Sequence, residues 1–156
     1  MKLWIIHKEG IVISKFIAEM LQDRLEDYID VSVGNANKID PTFLAEEKID
    51  YLIIGDIISE TIPSLEIQNW VLKYGEIYQV YNLKVKALSG FYIALTDTKI
   101  EPFWIEFLQD NISAEMIFPP IFSLKLNIKS SILDGVRSYS NDFIEFLIDY
   151  KKKKNK

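Results

Sequence analysis

The stretch KLWIIHKEGIVISKFIAEML, residues 2–21, changes its hydrophobic period halfway along, and that change decides the fold. Lys2 to His7 is continuously apolar at its centre, as a β-strand covered on both faces must be. Beyond the His7–Gly10 junction, Ile13, Phe16, Ile17, Met20, Leu21 and Leu25 recur every three or four residues. That spacing makes one apolar helix stripe, with Ser14 available as an N-cap.

The same rhythm repeats along the chain. YIDVSV, residues 28–33, alternates Ile29, Val31 and Val33 against Tyr28, Asp30 and Ser32, so this predicted strand has one wetter face and reads as an edge. Asp40-Pro41 is a cap followed by a first-turn proline, opening a short helix over Thr42 to Glu47. DYLIIG, residues 50–55, is again continuously apolar and hence central. After a loop closing at Pro63, the residues Ile67, Trp70, Val71, Tyr74, Ile77, Tyr78 and Tyr81 trace a long helix. GFYIAL, residues 90–95, predicts a fourth, central strand, and Pro102 starts a helix carrying Phe103, Trp104, Phe107 and Leu108 inward. AEMIF, residues 114–118, predicts a fifth strand that Pro119 and Pro120 confine to an edge or bend. The last helix runs through Ile132, Val136, Tyr139, Phe143, Leu147 and Tyr150, capped by Ser130 or Ser131. Five βα units with edge-like second and fifth strands imply an α/β fold, a parallel sheet of order 2-1-3-4-5 with helices on both faces, because right-handed crossovers must cover both sides.

Composition bounds the chemistry. The 156 residues, 49% hydrophobic and 26% charged, suit one domain over residues 1–150, with KKKKNK at 151–156 expected as a solvated, disordered basic tail. No apolar run approaches the roughly 18 residues of a bilayer span, and MKLWIIHKEG has no secretory signal pattern, so the expectation is a cytoplasmic protein without membrane attachment. The absence of cysteine rules out disulfides, iron–sulfur clusters and thiol nucleophiles, and a solitary His7 rules out a multi-histidine site; no metal site is expected. A net charge of -5 argues against general nucleic-acid affinity.

Three segments carry a resemblance to the flavodoxin family that spans nearly the whole chain. KLWIIHKEGIVISKFIAEML is similar to the family's first strand, phosphate loop and first helix; IDYLIIGDIISETIPSLEIQNWV resembles its third strand, flavin loop and third helix, with Gly55, Pro63, Ser64, Glu66 and Ile67 in register; AEMIFPPIFSLKLN resembles its last strand. The resemblance implies a flavodoxin-like three-layer sandwich, FMN as cofactor, electron transfer as activity and a redox or protein partner. It places the FMN phosphate on Gly10, Ile11, Val12, Ile13 and Ser14, and ring walls at Asp56 to Thr61. With FMN bound, Ser14, Thr61 and, from the loop after the fourth strand, Thr96 and Thr98 are the expected side-chain helpers, with Asp56 opening the ring wall.

At the phosphate loop the family reads roughly Ser/Thr-x-Thr-Gly-Asn-Thr, whereas residues 9–14 here are EGIVIS. Only Ser14 keeps a hydroxyl in register, Glu9 brings a negative charge toward a dianion, and β-branched Ile11, Val12 and Ile13 resist positive φ. Asp56 to Thr61 contains no aromatic to stack on a flavin. The expectation is therefore a divergent flavodoxin-like protein that binds FMN weakly or not at all and acts as a binding or interaction module. The alternative is an FMN-binding electron-transfer or oxidoreductase protein. A second alternative is a receiver-like phosphoacceptor using Asp56 with Thr96. The residues themselves identify no catalytic group: His7 reads as the polar end of a strand, Trp4, Trp70 and Trp104 as packing, and Asp56 with Glu60 as solvated acids or an acid–base pair. The aromatic content of the third helix, Trp70, Tyr74, Tyr78 and Tyr81, exceeds what one sheet face covers, so its end suggests a homodimer or partner contact.

Overall fold

The computed structural model describes residues 1–10, 12–94, 103–118, 122–125 and 129–156, and for 122–125 and 129–131 the backbone alone. Its elements run β1 (Lys2–His7), α1 (Val12–Leu25), β2 (Asp30–Asn35), α2 (Pro41–Glu47), β3 (Tyr51–Ile58), α3 (Leu65–Val80), β4 (Val85–Ala94), α4 (Phe103–Asn111), β5 (Ala114–Ile117), β6 (Phe122–Lys125) and α5 (Lys129–Lys154). All strand pairs are parallel, in the order β2-β1-β3-β4-β5, with β6 also on β4. This is the α/β sandwich of order 2-1-3-4-5 that the apolar runs imply.

Side-chain alternation divides the core into two layers. Leu3 and Ile5 of β1, with Ile53 and Ile57 of β3, pack under α1 and α5 against Ile17, Leu21, Val136 and Phe143. Trp4 and Ile6, with Leu52, Ile54 and Ile58, pack on the other face against Leu44 of α2, Ile67, Trp70 and Tyr74 of α3, and Trp104 of α4. Asp40 caps α2 as its sequence implies, its carboxylate accepting from Thr42 N–H at 2.8 Å. No helix among the described residues is long and apolar enough to cross a membrane.

Several boundaries differ from expectation, each for a packing reason. Ser14 lies inside α1 and is fully buried, so it is not the N-cap. Phe16 and Phe103 point out to solvent, and Ala18 takes a core place on α1 instead. β2 begins at Asp30, leaving Tyr28 in the preceding turn. β3 continues beyond Gly55 through Asp56, Ile57 and Ile58, all buried and paired with Tyr92, Ile93 and Ala94. β4 starts at Val85, and Gly90 sits inside it because a Cβ there would meet Ile54 O and the Trp104 ring at 2.6 Å each. The fifth strand position holds two segments: Leu88 pairs with Ile117 and Phe91 with Phe122, so three steps along β4 face five along the edge. Edge strands accommodate such extra residues because their outer side makes no ladder. Leu95, Pro102, Pro119 and Pro120 lie outside the described residues, as do the side chains of Ser130 and Ser131.

The aromatic face of α3 is largely satisfied within the chain. Trp70 stacks on Tyr74 at 5.2 Å and Tyr74 on Tyr78 at 4.9 Å, all three buried against the sheet, while Tyr81 alone of that series is exposed. The sheet and the rings themselves thus cover most of the series, while the end of the helix, where a dimer or partner contact is expected, keeps Val80 and Tyr81 exposed. α5 continues through Lys154, beyond the boundary expected at 150, and Lys151 Nζ donates to Tyr28 O at 3.0 Å. Lysines in a last turn complement the helix dipole, which favours continuing the helix over ending it.

Candidate functional site

β1 stands at the switch point of the sheet, between β2 and β3, and the chain leaves it into the turn before α1. In doubly wound folds this is where a crevice opens beyond the strand ends. Lys8 N–H extends the ladder by one bond to Gly55 O at 2.9 Å, and Gly10 then reverses the chain at φ +100°, with nothing within 4 Å of where a Cβ would stand. That conformation suits glycine and strains other residues. The turn is closed from beneath: Ser14 hydroxyl donates to Lys8 O at 2.8 Å, and His7 Nδ1 lies 3.0 Å from the same oxygen. Lys8 Nζ reaches Ile57 O at 3.4 Å.

Two carboxylates meet at this turn. Glu9 N–H donates to Glu66 Oε1 at 2.9 Å, so an acid from the first turn of α3 sits on a backbone amide of the β1–α1 turn. Glu9 itself accepts from Asn37 Nδ2 at 2.8 Å, tying the turn to the β2–α2 loop. Beside them a cavity of about 370 Å³ is walled by Asn37, Lys38, Asp40, Glu66, Trp70 and Lys73, among others.

On the face of the sheet that α3 and α4 cover, Asp56 is fully buried and gathers four donors. Oδ1 accepts from Ile57 N–H at 2.8 Å and Ser64 hydroxyl at 2.7 Å; Oδ2 accepts from Ser64 N–H at 2.9 Å and Trp104 Nε1 at 3.1 Å. Burial pushes this carboxyl above the ordinary carboxylate range, against the pull of those hydrogen bonds. The cluster fastens the starts of α3 and α4 to β3. Ser64 stands at the N-cap of α3 but makes no side-chain cap bond, because its hydroxyl is given to Asp56. Ser64→Ala is expected to lower stability by about 1–2 kcal/mol through loss of a charge-assisted bond, read as a shift of the urea midpoint with an unchanged m-value.

The structure brings Gly10, Val12, Ile13 and Ser14 together at one turn. Val12 is 83% exposed, Ile13 packs on the α1 layer, and Ser14 is spent inside. Ile11, Thr96 and Thr98 lie outside the described residues. Of the stretch expected to wall a ring, Asp56, Ile57 and Ile58 belong to β3 and are buried, which leaves Ser59 to Ile62 as the bend, with Thr61 half-buried. Asp56 turns no oxygen toward solvent, so it neither pairs with exposed Glu60 nor meets a phosphodonor. His7 shares the α1 face with Leu3 and Ile5, opposite to Asp56, and the two cannot act together. Glu66, Asn37, Ser64 and Trp104 were missed as site partners. Their bonds to Glu9 and Asp56 span 57, 28, 8 and 48 residues, and no local spacing encodes them.

No family model and no curated protein matches the sequence. Solved structures share its fold. A flavodoxin from the domain Archaea superposes with a TM-score of 0.72 at 16% identity, over 94% of this chain and 99% of that one. Oxidised flavodoxin 1 from Bacillus cereus gives 0.70 at 14% identity, over 93% and 98%. Rubredoxin oxygen:oxidoreductase from Desulfovibrio gigas gives 0.74 at 10% identity; there 95% of this chain matches 36% of the other, so the chain spans about a third of that protein. The fold is flavodoxin-like.

Proposed function

We propose that the crevice beyond β1 and β3 is a flavin mononucleotide site and that the protein is an electron carrier of flavodoxin type. One observation carries this reading: at the switch point Gly10, two residues ahead of the 14-residue helix α1, turns the chain at φ +100° with open space where a Cβ would stand, as an anion cradle requires. Amide N–H groups at such a helix start bear partial positive charge and favour phosphate. The whole-length likeness to flavodoxins supports it.

The residues fit a phosphate in shape and oppose it in charge, and magnitudes decide between the two. The solvent-exposed Glu66 contact on Glu9 N–H is worth about 1 kcal/mol net. A ligand of micromolar affinity has about 8 kcal/mol to spend. A phosphate bound with that affinity would displace the carboxylate at a loss of roughly fivefold. The amides from Gly10 to Ser14 would hold the phosphate and the bend from Ser59 to Thr61 would wall the ring, with Thr96 and Thr98 as the further contacts implied by the resemblance. A bound flavin would supply reversible electron transfer. Val12, Ile62, Leu65 and Phe103, exposed apolar residues at or beside the starts of α1, α3 and α4, are suited to docking a redox protein at that end.

A second reading, a colourless interaction module of the same fold, is favoured by the two carboxylates at the turn. Titration with FMN separates the two. The expected result is a bound visible spectrum and quenched flavin fluorescence, saturating in the micromolar range. No spectral change at millimolar FMN would leave the interaction module standing.

A further inference from the structure

We infer that Glu66 is a specificity-determining residue at the β1–α1 turn: its carboxylate sits on the Glu9 amide, one residue before the amides proposed to hold a phosphate, and sets how much a ligand's terminal phosphate adds to binding. The inference rests on the flavin reading for its ligand but not for its geometry. Glu66 Oε1 accepts from Glu9 N–H at 2.9 Å, and Glu9, held by Asn37, puts a second carboxylate beside the same amide. A phosphate entering the turn must stand next to both carboxylates or displace Glu66 from the neighbouring amide, whereas the neutral isoalloxazine and ribityl groups carry no charge for them to oppose. Glu66 also has somewhere to go. It forms part of the wall of the cavity of about 370 Å³ that also carries Lys38 and Lys73, so a displaced carboxylate has room there, though it shares Lys73 with Asp40, paired at 3.3 Å. The turn thus grades its ligands by terminal charge, and the difference between FMN and riboflavin is compressed.

The test compares both flavins on the full chain by fluorescence quenching, in wild type, Glu66→Gln and Glu66→Ala. In wild type the two dissociation constants should lie within about tenfold of each other. Glu66→Ala should tighten FMN about fivefold while leaving riboflavin within twofold, and Glu66→Gln, which keeps an acceptor but loses the charge, should fall between. An unchanged riboflavin-to-FMN ratio in both variants would overturn the inference. A second arm needs no flavin. Inorganic phosphate should perturb the amide NMR resonances of Glu9, Gly10 and Ser14 at a concentration about fivefold lower in Glu66→Ala than in wild type. If no flavin binds any variant but this shift occurs, the flavin reading falls and the role of Glu66 stands. If the Glu9 resonance is the same in wild type and Glu66→Ala, the role of Glu66 falls.

Discussion

Asp56→Ala is expected to lose about 4 kcal/mol of stability, a large share of the 5–15 kcal/mol typical of a domain. The substitution removes the acceptor for four donors at a fully buried position: Ile57 N–H, Ser64 N–H, Ser64 hydroxyl and Trp104 Nε1–H. Each buried donor left without a partner costs roughly 1–3 kcal/mol, partly relieved where water follows into the space. Because the cluster anchors the starts of α3 and α4, the loss should appear as a lowered global transition. Asp56→Asn keeps the volume and one acceptor but presents an NH₂ group to two donors, and about 2–3 kcal/mol is expected. The pH dependence has a definite sign. A folded-state pKa raised by burial means that the folded protein binds the proton more tightly than the unfolded chain. The contribution of Asp56 is therefore greatest below the ordinary carboxylate range and declines as pH rises from there through the raised value. Asp56→Asn removes that decline, so the gap between the two proteins should be widest at acidic pH and narrow toward neutrality. Urea titrations at several pH values check both claims. A variant within 0.5 kcal/mol of wild type at pH 5 would contradict them.

Gly75→Ala should destabilise by about 2–3 kcal/mol, although alanine in an open helix interior is worth about 1 kcal/mol over glycine. Gly75 lies in the middle of α3, and a Cβ there would stand 2.1 Å from Asn111 O, a backbone atom at the end of α4. Backbone cannot swing aside as a flexible side chain does, so the two helices must separate. That movement disturbs the layer in which Val71 and Tyr74 pack with Trp104, Leu108 and Ile112. Overpacking of this kind typically costs 1–3 kcal/mol and occasionally more, which outweighs the gain in helix propensity. Thermal unfolding is the simplest check. A melting temperature at or above that of wild type would show that α3 and α4 approach less closely than the geometry requires.

The candidate site was only partly legible beforehand. The turn at Gly10 to Ser14 could be located because a strand-to-helix change of period marks it. Its occupant could not, because Glu66 is distant in sequence and reads as an ordinary first-turn acid of α3. Asp56 shows the same difficulty from the other side. An aspartate after a glycine reads as the start of a loop, and nothing near it announces that Ser64 and Trp104 will supply the donors that make burial tolerable.

The sequence by itself determined the βα rhythm, the strand order and the identity of the central strands. Burial on both faces must be written as continuous apolar residues, and helix packing must be written at 3.6-residue spacing. Both are local demands that each segment meets on its own. Only the tertiary structure decided how far β3 runs, which aromatic residues face inward, and that a glutamate of α3 rests on the β1–α1 turn. Those outcomes depend on hydrogen-bond partners and steric limits contributed by residues tens of positions away, and they exist only once the sheet has brought those residues together.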